Sequence, residues 1–206
     1  MKSPRDPKKT KQRILRAATD EFARYGLGGA RVDRIAARAG ANKRMLYYYY
    51  GNKDDLFLAV LEASYARIRS AEERLRLRDL DPELGIRRLV EFTWNYFLRH
   101  PEFLTLLNSE NLHQARHIRR SGSIATMHSN FLKLLSDILG RGVRAGKFRR
   151  GVDPVQLYIS IAALGYFYLS NRHTLSTIFR KPLLASRHRA ARLKHMLDVV
   201  LGYLRK

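Results

Sequence analysis

Cysteine is absent from the 206 residues, which excludes a disulfide framework, a thiol nucleophile and any thiolate metal site together. That absence suits a reducing compartment. Long apolar runs are missing as well. Nothing approaches the roughly 18 apolar residues in a row that span a bilayer, and the opening MKSPRDPKKTKQR lacks the apolar stretch of a secretory signal, so a cytoplasmic protein outside the membrane is expected. Acids are scarce: 18 Asp and Glu stand against 40 Lys and Arg, a formal charge of +22. Such an imbalance predicts attraction to polyanions, nucleic acid first and an anionic membrane surface second. Catalytic signatures are lacking too. There is no Gly-rich phosphate loop, nucleophile elbow or paired-carboxylate motif, Gly26 to Gly29 reads as a loop between helices, and scattered acids such as Glu72 and Glu73 read as solvated charges on a helix. Neither an enzyme nor a cofactor is expected.

Hydrophobic residues, in contrast, make up 45% of the chain, too many for a disordered polycation. They recur at helical spacing. Residues 1–9 lack apolar periodicity and read as a flexible basic arm. Thr10 then serves as a plausible N-cap for a helix over about 11–25 carrying Ile14, Leu15, Ala18, Phe22 and Tyr25, with Gly26 as the stop. Val32, Ile35, Ala36 and Ala39 form a short second helix ended by Gly40, and Asn42 caps a third with Met45, Leu46, Tyr49 and Tyr50. A long helix begins at Lys53. Further helices are predicted over about 82–99, 101–117, 121–145, 153–179 and 187–205. The aromatic run Tyr158 to Tyr168 is too long for a strand and keeps helical spacing at Leu157, Ile161, Leu164 and Tyr168. The expected fold is all-α: a three-helix, helix-turn-helix unit over 10–55 and a larger helical domain over 56–206.

Two short helices joined by Ala39-Gly40-Ala41-Asn42 suit a helix-turn-helix, since Ala36 and Gly40 permit close approach and a tight turn. Lys43, Arg44, Tyr47 and Tyr48 then remain exposed on the second helix. Cations serve phosphates or guanine edges, and phenols bond phosphate while packing on sugars or thymine methyls. Residues 1–53 hold fourteen Lys and Arg against four Asp and Glu, so a quarter of the chain carries nearly half of the net charge. Lys8, Lys9 and Lys11 precede or open the first helix. Lys53 stands at a helix start, a setting that suits a phosphate.

The stretches Thr10 to Ala18, Val32 to Ala41 and Leu46-Tyr47-Tyr48-Tyr49-Tyr50-Gly51-Asn52-Lys53-Asp54-Asp55-Leu56 resemble the DNA-binding domain of the tetracycline-repressor (TetR) family of bacterial regulators. The family pattern Leu-Tyr-x-His/Tyr-Phe-x-x-Lys-x-x-Leu is matched at Leu46, Tyr47, Tyr49, Lys53 and Leu56. The resemblance implies that Tyr47 and Tyr49 contact DNA, that Lys43 and Arg44 face the groove and that Lys53 holds phosphate. Arg31, where Thr is common, replaces a hydroxyl contact by charge, and Thr10 and Lys11 complete the DNA-facing set. Tyr50 stands where Phe is usual, so its hydroxyl needs a partner if the ring is buried. Asp33 either favours the helix dipole or accepts from cytosine.

The same resemblance implies a homodimer on a roughly palindromic double-stranded DNA operator, released by a small-molecule effector of unknown identity. Leu157, Ile161, Leu164, Leu193, Leu197, Val200 and Leu204 on the last two long helices are the expected interface. Trp94, Phe97, Asn108, Asn111, His113, Phe131, Tyr166 and Asn171 are the expected effector contacts. The segment Phe103 to His113 is similar, less specifically, to that of family regulators that answer to small nitrogen heterocycles or aromatic acids. His113 and His117, four apart with Glu110 nearby, have the spacing of metal ligands, but Arg116, Arg119 and Arg120 disfavour a cation, and a solvated basic face is expected with no metal. The reading is a DNA-binding repressor. A nonspecific DNA-coating protein and a membrane-surface helical protein are the alternatives.

Overall fold

Helix starts in this chain follow its polar caps. Asp6, Asn42, Asp81 and Asp153 each accept a hydrogen bond from a backbone N–H of the turn that follows. Proline comes directly after three of them, at Pro7, Pro82 and Pro154, where a missing N–H costs no hydrogen bond. The computed structural model describes residues 6–205. Among the described residues every regular element is helical: α1 (Pro7–Gly29), α2 (Val32–Arg38), α3 (Lys43–Tyr50), α4 (Lys53–Glu73), α5 (Pro82–Arg99), α6 (Pro101–Leu112), α7 (Gly122–Arg144), α8 (Pro154–Ser170), α9 (Arg172–Ile178) and α10 (Ser186–Leu204).

The start of α1, the end of α6 and the end of α8 differ from the sequence expectation. Residues 1–5 of the expected arm lie outside the described residues, and residues 7–9 are helical. Asp6, not Thr10, caps α1, accepting from the N–H of Lys8 at 2.9 Å, and Thr10 sits one turn inside, 1% exposed. The helix expected over 101–117 ends at Leu112. There the Glu110 carboxylate accepts from the N–H groups of His117 and Ile118 at 2.8 and 2.9 Å, an alternative to continuing the helix, and Gln114 and Ala115 turn with positive φ. The helix expected over 153–179 breaks at Asn171, whose side-chain amide donates to the Phe167 carbonyl at 3.0 Å. This local bond competes with the helical ladder, as Asn side chains commonly do.

Two compact units result. The first comprises the described residues up to 67 together with 101–125. Ile14, Ala18, Phe22, Ile35, Leu46, Leu56 and Phe57 are fully buried in it, each worth roughly 1.5–3 kcal/mol for the larger side chains. Phe22 and Phe57 meet edge to face at 5.0 Å. α6 packs on α1, and the Leu27 N–H donates to Ser109 Oγ at 3.2 Å.

The second unit comprises residues 68–100 and those from 126 on. α5 packs against α8 and α10, burying Leu89, Val90, Trp94, Leu157, Ile161, Met196, Val200 and Leu204. Trp94 and Tyr168 meet edge to face at 5.6 Å. Beyond α7 the chain folds Phe148 back over Gly142, where a Cβ would lie 1.9 Å from the ring. Arg141 donates to the carbonyls of Leu80 and Leu77 at 2.8 and 3.3 Å, holding the segment before α5 to α7.

Candidate nucleic-acid interface

The turn between α2 and α3 is built from small residues. Ala36 and Ala39 are buried, the Ala41 N–H donates to the Ala36 carbonyl at 3.0 Å, and Gly40 supplies the positive φ of 58° that this reversal requires. Asn42 then caps α3, its Oδ1 accepting from the Met45 N–H at 2.8 Å. With only two turns, α3 has little stability of its own. Leu46 and Tyr50 therefore anchor it, and both are buried.

That anchoring decides what points outward. Lys43, Arg44, Tyr47 and Tyr48 are exposed, Tyr48 at 83% and Tyr47 at 45%. Tyr49 is half-buried and packs edge to face on Tyr48 at 5.2 Å. Tyr50 answers the question raised by its hydroxyl: it donates to the Lys11 carbonyl at 3.0 Å, and burial pushes its pKa up to about 12. Lys11 also places its ammonium 5.5 Å from the Tyr50 ring centroid. The start of α1, with Lys8, Lys9 and Lys11 exposed, is thereby tied to the outward-facing helix.

Asp33 finds a role that neither sequence reading covered. It pairs with Lys43 across the turn, and Arg31 lies 3.8 Å from it. All three groups are exposed, so the pairs are weak and exchangeable for phosphate. Lys53 opens α4 half-buried, its Nζ 3.5 Å from the Gly28 carbonyl. Thr10, expected among the DNA-facing residues, is instead on the buried side of α1, 1% exposed, with its hydroxyl accepting from Arg13 at 3.5 Å.

Sequence reasoning missed the group that holds this arrangement. Glu21 is buried on α1, accepting from the Arg31 N–H at 3.0 Å and from Arg34 Nε at 2.6 Å. Arg34 in turn donates to the Gly29 carbonyl and stacks over Tyr25. The signal was an acid at the spacing of the core stripe Ile14, Ala17, Ala18 and Phe22. His117 was missed for a related reason. It is buried, not part of a solvated face, with Nδ1 2.6 Å from Glu110 Oε2 and Nε2 3.1 Å from Asp54 Oδ1. That hydrogen bond, with Arg116 beside it, holds the Asp54 carboxyl below its usual range. Among the described residues no cluster of three or more His, Cys, Asp or Glu has the arrangement of a metal site, and no helix is long and apolar enough to cross a membrane.

The remaining sequence-predicted residues scatter. Asn108, Asn111 and His113 belong to the first unit, while Trp94, Phe97, Phe131, Tyr166 and Asn171 belong to the second. Of the eight, only Phe131 lines the cavity of about 400 Å³ in the second unit. Leu157, Ile161, Val200 and Leu204 are buried within the chain itself and are not free to form an interface. Leu164, Leu193 and Leu197 are half-buried. On these two helices the exposed large apolar residues are Val155, Ile159 and Phe167 on α8 and Val199 and Tyr203 on α10.

Comparison with known proteins agrees with this geometry. Residues 14–60 match the model of bacterial regulatory proteins of the tetR family, and residues 82–200 match the tetracyclin repressor-like C-terminal domain. The chain belongs to the TetR family. The stretch that matches the N-terminal model contains α2 and α3, and the chain is a DNA-binding transcriptional regulator. It is 41% identical over 198 residues to the HTH-type transcriptional repressor NicS of Pseudomonas putida, covering 96% of this chain and 93% of that protein. It is 44% identical over 108 residues to the HTH-type transcriptional repressor SCO4008 of Streptomyces coelicolor, covering 52% and 53%. In fold it is similar to SCO4942 of Streptomyces coelicolor, with a TM-score of 0.69 at 24% identity over 95% of this chain and 98% of that one.

Proposed function

We propose that this TetR-family chain represses transcription as a homodimer on an inverted-repeat operator and is released when a small molecule enters the second unit. The observation that carries the reading is the outward face of α3, where Lys43, Arg44, Tyr47 and Tyr48 are exposed while Leu46 and Tyr50 fix the helix from behind. Lys8, Lys9, Lys11, Arg31 and Lys53 supply backbone contacts in this reading, and Tyr49 supports Tyr48. Repression is supported by NicS and SCO4008, both named as repressors.

The dimer rests on the uncovered stripes. Val155, Ile159 and Phe167 recur every fourth or eighth residue along α8, and Val199 and Tyr203 are four apart on α10. Gly202 lies exposed beside them, with nothing within 4 Å of the place a Cβ would take. Two such helices from each subunit form a four-helix bundle. Symmetry would then match two half-sites. An effector releases such a dimer only by binding the DNA-incompetent state more tightly, since equal affinity shifts nothing.

Selection of bound duplexes from a randomised pool at near-physiological salt, together with light scattering on the free protein, tests the reading. Recovery of an inverted repeat by a protein of twice the chain mass is expected. Uniform recovery of all sequences would leave the charge of +22 as the whole basis of binding and favour nonspecific coating.

A further inference from the structure

The sequence marks Glu72 as a solvated acid, and the structure buries it. Side-chain exposure is 4% for Glu72 and 7% for Arg69 one turn earlier, and the two approach to 2.9 Å between Arg69 Nη1 and Glu72 Oε2. Yet the pair is badly aligned. Nη1 and Nε of Arg69, and Oε2 of Glu72, have no hydrogen bond, and the remaining guanidinium nitrogen reaches only the Tyr158 hydroxyl, at 3.3 Å. Aromatic rings hold the guanidinium in place, Phe131 at 4.4 Å and Tyr158 at 5.5 Å from its central carbon. A buried cation with idle donors is costly unless something completes its shell. Beside it lies the cavity of about 400 Å³, to which Arg69, Glu72, Leu77, Met127, Phe131 and Leu134 contribute.

We propose that this cavity takes a small organic monocarboxylate on an aromatic or otherwise flat body, with Arg69 gripping the acid group and Glu72 giving way to it. The proposal rests on the reading that the second unit takes up an effector, and it names the chemical class. Three features select that class. Arg69 is fixed as a planar donor of the kind that pairs with carboxylates. The space is at the small end of ligand pockets, which run to roughly 300–1,000 Å³, so it admits one or two rings. Phe131, Met127, Leu134 and Leu77 provide the apolar wall that a ring system needs and an inorganic anion does not.

Glu72 explains how a site with its own carboxylate admits another. Desolvation pushes its pKa up to about 7 against the pull of Arg69, so near neutrality it readily takes a proton. The bound acid then becomes the counter-charge of Arg69, and protonated Glu72 donates to it in place of repelling it. Glu73 on the same helix raises the Glu72 pKa, Tyr158 of α8 lies against the pair, and Arg76, Arg78 and Asp79 also line the cavity. Binding therefore takes up a proton and weakens as pH rises past about 7, approaching tenfold per pH unit once Glu72 is ionised.

Titration calorimetry on the full chain with benzoate and 1-naphthoate, each paired with its neutral amide and with benzamidine as a cationic control, tests this at pH 6 and pH 8. At least one acid is expected to bind at least tenfold more tightly than its amide and more tightly at pH 6. Arg69→Gln is expected to erase the preference for acid over amide. Glu72→Gln is expected to remove the pH dependence and to bind the acid more tightly than the parent at pH 8, which keeps the test sharp should Arg69→Gln not fold. Equal affinity for acid and amide, tighter binding of benzamidine, or no acid bound at 10 mM overturns the proposal. Release from the selected operator is measured separately. Acid binding through Arg69 without release defeats the effector reading and leaves the site, whereas release by ligands of another class defeats the site and leaves the regulator.

Discussion

Four consecutive tyrosines occupy α3, and their surroundings give them different jobs. Tyr48 is almost wholly in solvent and Tyr50 almost wholly out of it, although they are two residues apart. Tyr48→Ala should weaken operator binding by roughly 1–2 kcal/mol in a gel-shift titration while leaving the melting temperature in place. Tyr50→Phe should instead cost about 1 kcal/mol of stability in urea unfolding, because the Lys11 carbonyl loses its partner. Helical phase made half of this division legible, setting Tyr48 outward and Leu46 inward with either Tyr49 or Tyr50, and the structure buries Tyr50. Phase did not disclose the buried acids. Glu21 and Glu72 stand on apolar stripes, and only the fold brings Arg34 to Glu21 and buries the helical neighbours Arg69 and Glu72 together. For Glu72 the sign of the pH effect is fixed by its raised pKa. The folded chain holds that proton more tightly than the unfolded chain, whose carboxyl titrates near 4.5, so this residue lowers stability progressively as pH climbs from about 4.5 to 7. Glu72→Gln should remove that slope, matching the parent near pH 4 and exceeding it at pH 8 by up to about 3 kcal/mol.

At the scale of elements, starts were easier to read than ends. Asp81-Pro82 and Asn42 carry the chemistry of helix initiation in the residues themselves, and α5 and α3 begin where those signals stand. Ends depended on distant or competing partners. α6 stops because Glu110 turns back on the segment after it, a bond pattern that no local spacing announces. Glu110→Ala should therefore cost about 2–4 kcal/mol, leaving two backbone N–H groups and His117 without a buried acceptor. Hydrogen exchange would show the loss as faster exchange at His117 and Ile118. The solvated face expected around His117 was misjudged for a similar reason, as the fold buries the ring and engages both of its nitrogens with carboxylates.

For the whole molecule, the all-α class and the helix-turn-helix were legible because periodicity, caps and the α3 motif agree. The pocket was not, because a cavity is assembled from residues whose sequence pattern reads as ordinary surface: Glu72, Glu73, Arg76 and Asp79 look like a solvated charged helix end. Of the residues expected at an interface, Leu157, Ile161, Val200 and Leu204 are buried within the chain, which moves the proposed interface to a neighbouring face. Apolar residues run all round α8, so hydrophobicity alone did not separate Ile161, which the subunit covers, from Ile159 and Phe167, which it leaves open. Phe167→Glu, at a side chain 58% exposed, should give folded monomers by light scattering, with operator affinity reduced at least tenfold. A fully dimeric variant would remove α8 from the proposed interface.

Gly202 allows the last step to be taken apart. A glycine inside a helix sacrifices about 1 kcal/mol against alanine, and within its own subunit nothing surrounds the position that a methyl group would fill. Gly202→Ala should thus make the lone subunit harder to melt and, by wedging apart two helices of the proposed bundle, make the dimer easier to dilute into halves. One carbon atom would then drive folding and association in opposite directions, and comparing melting with sedimentation across concentrations would separate two quantities that a symmetric dimer ordinarily reports as one.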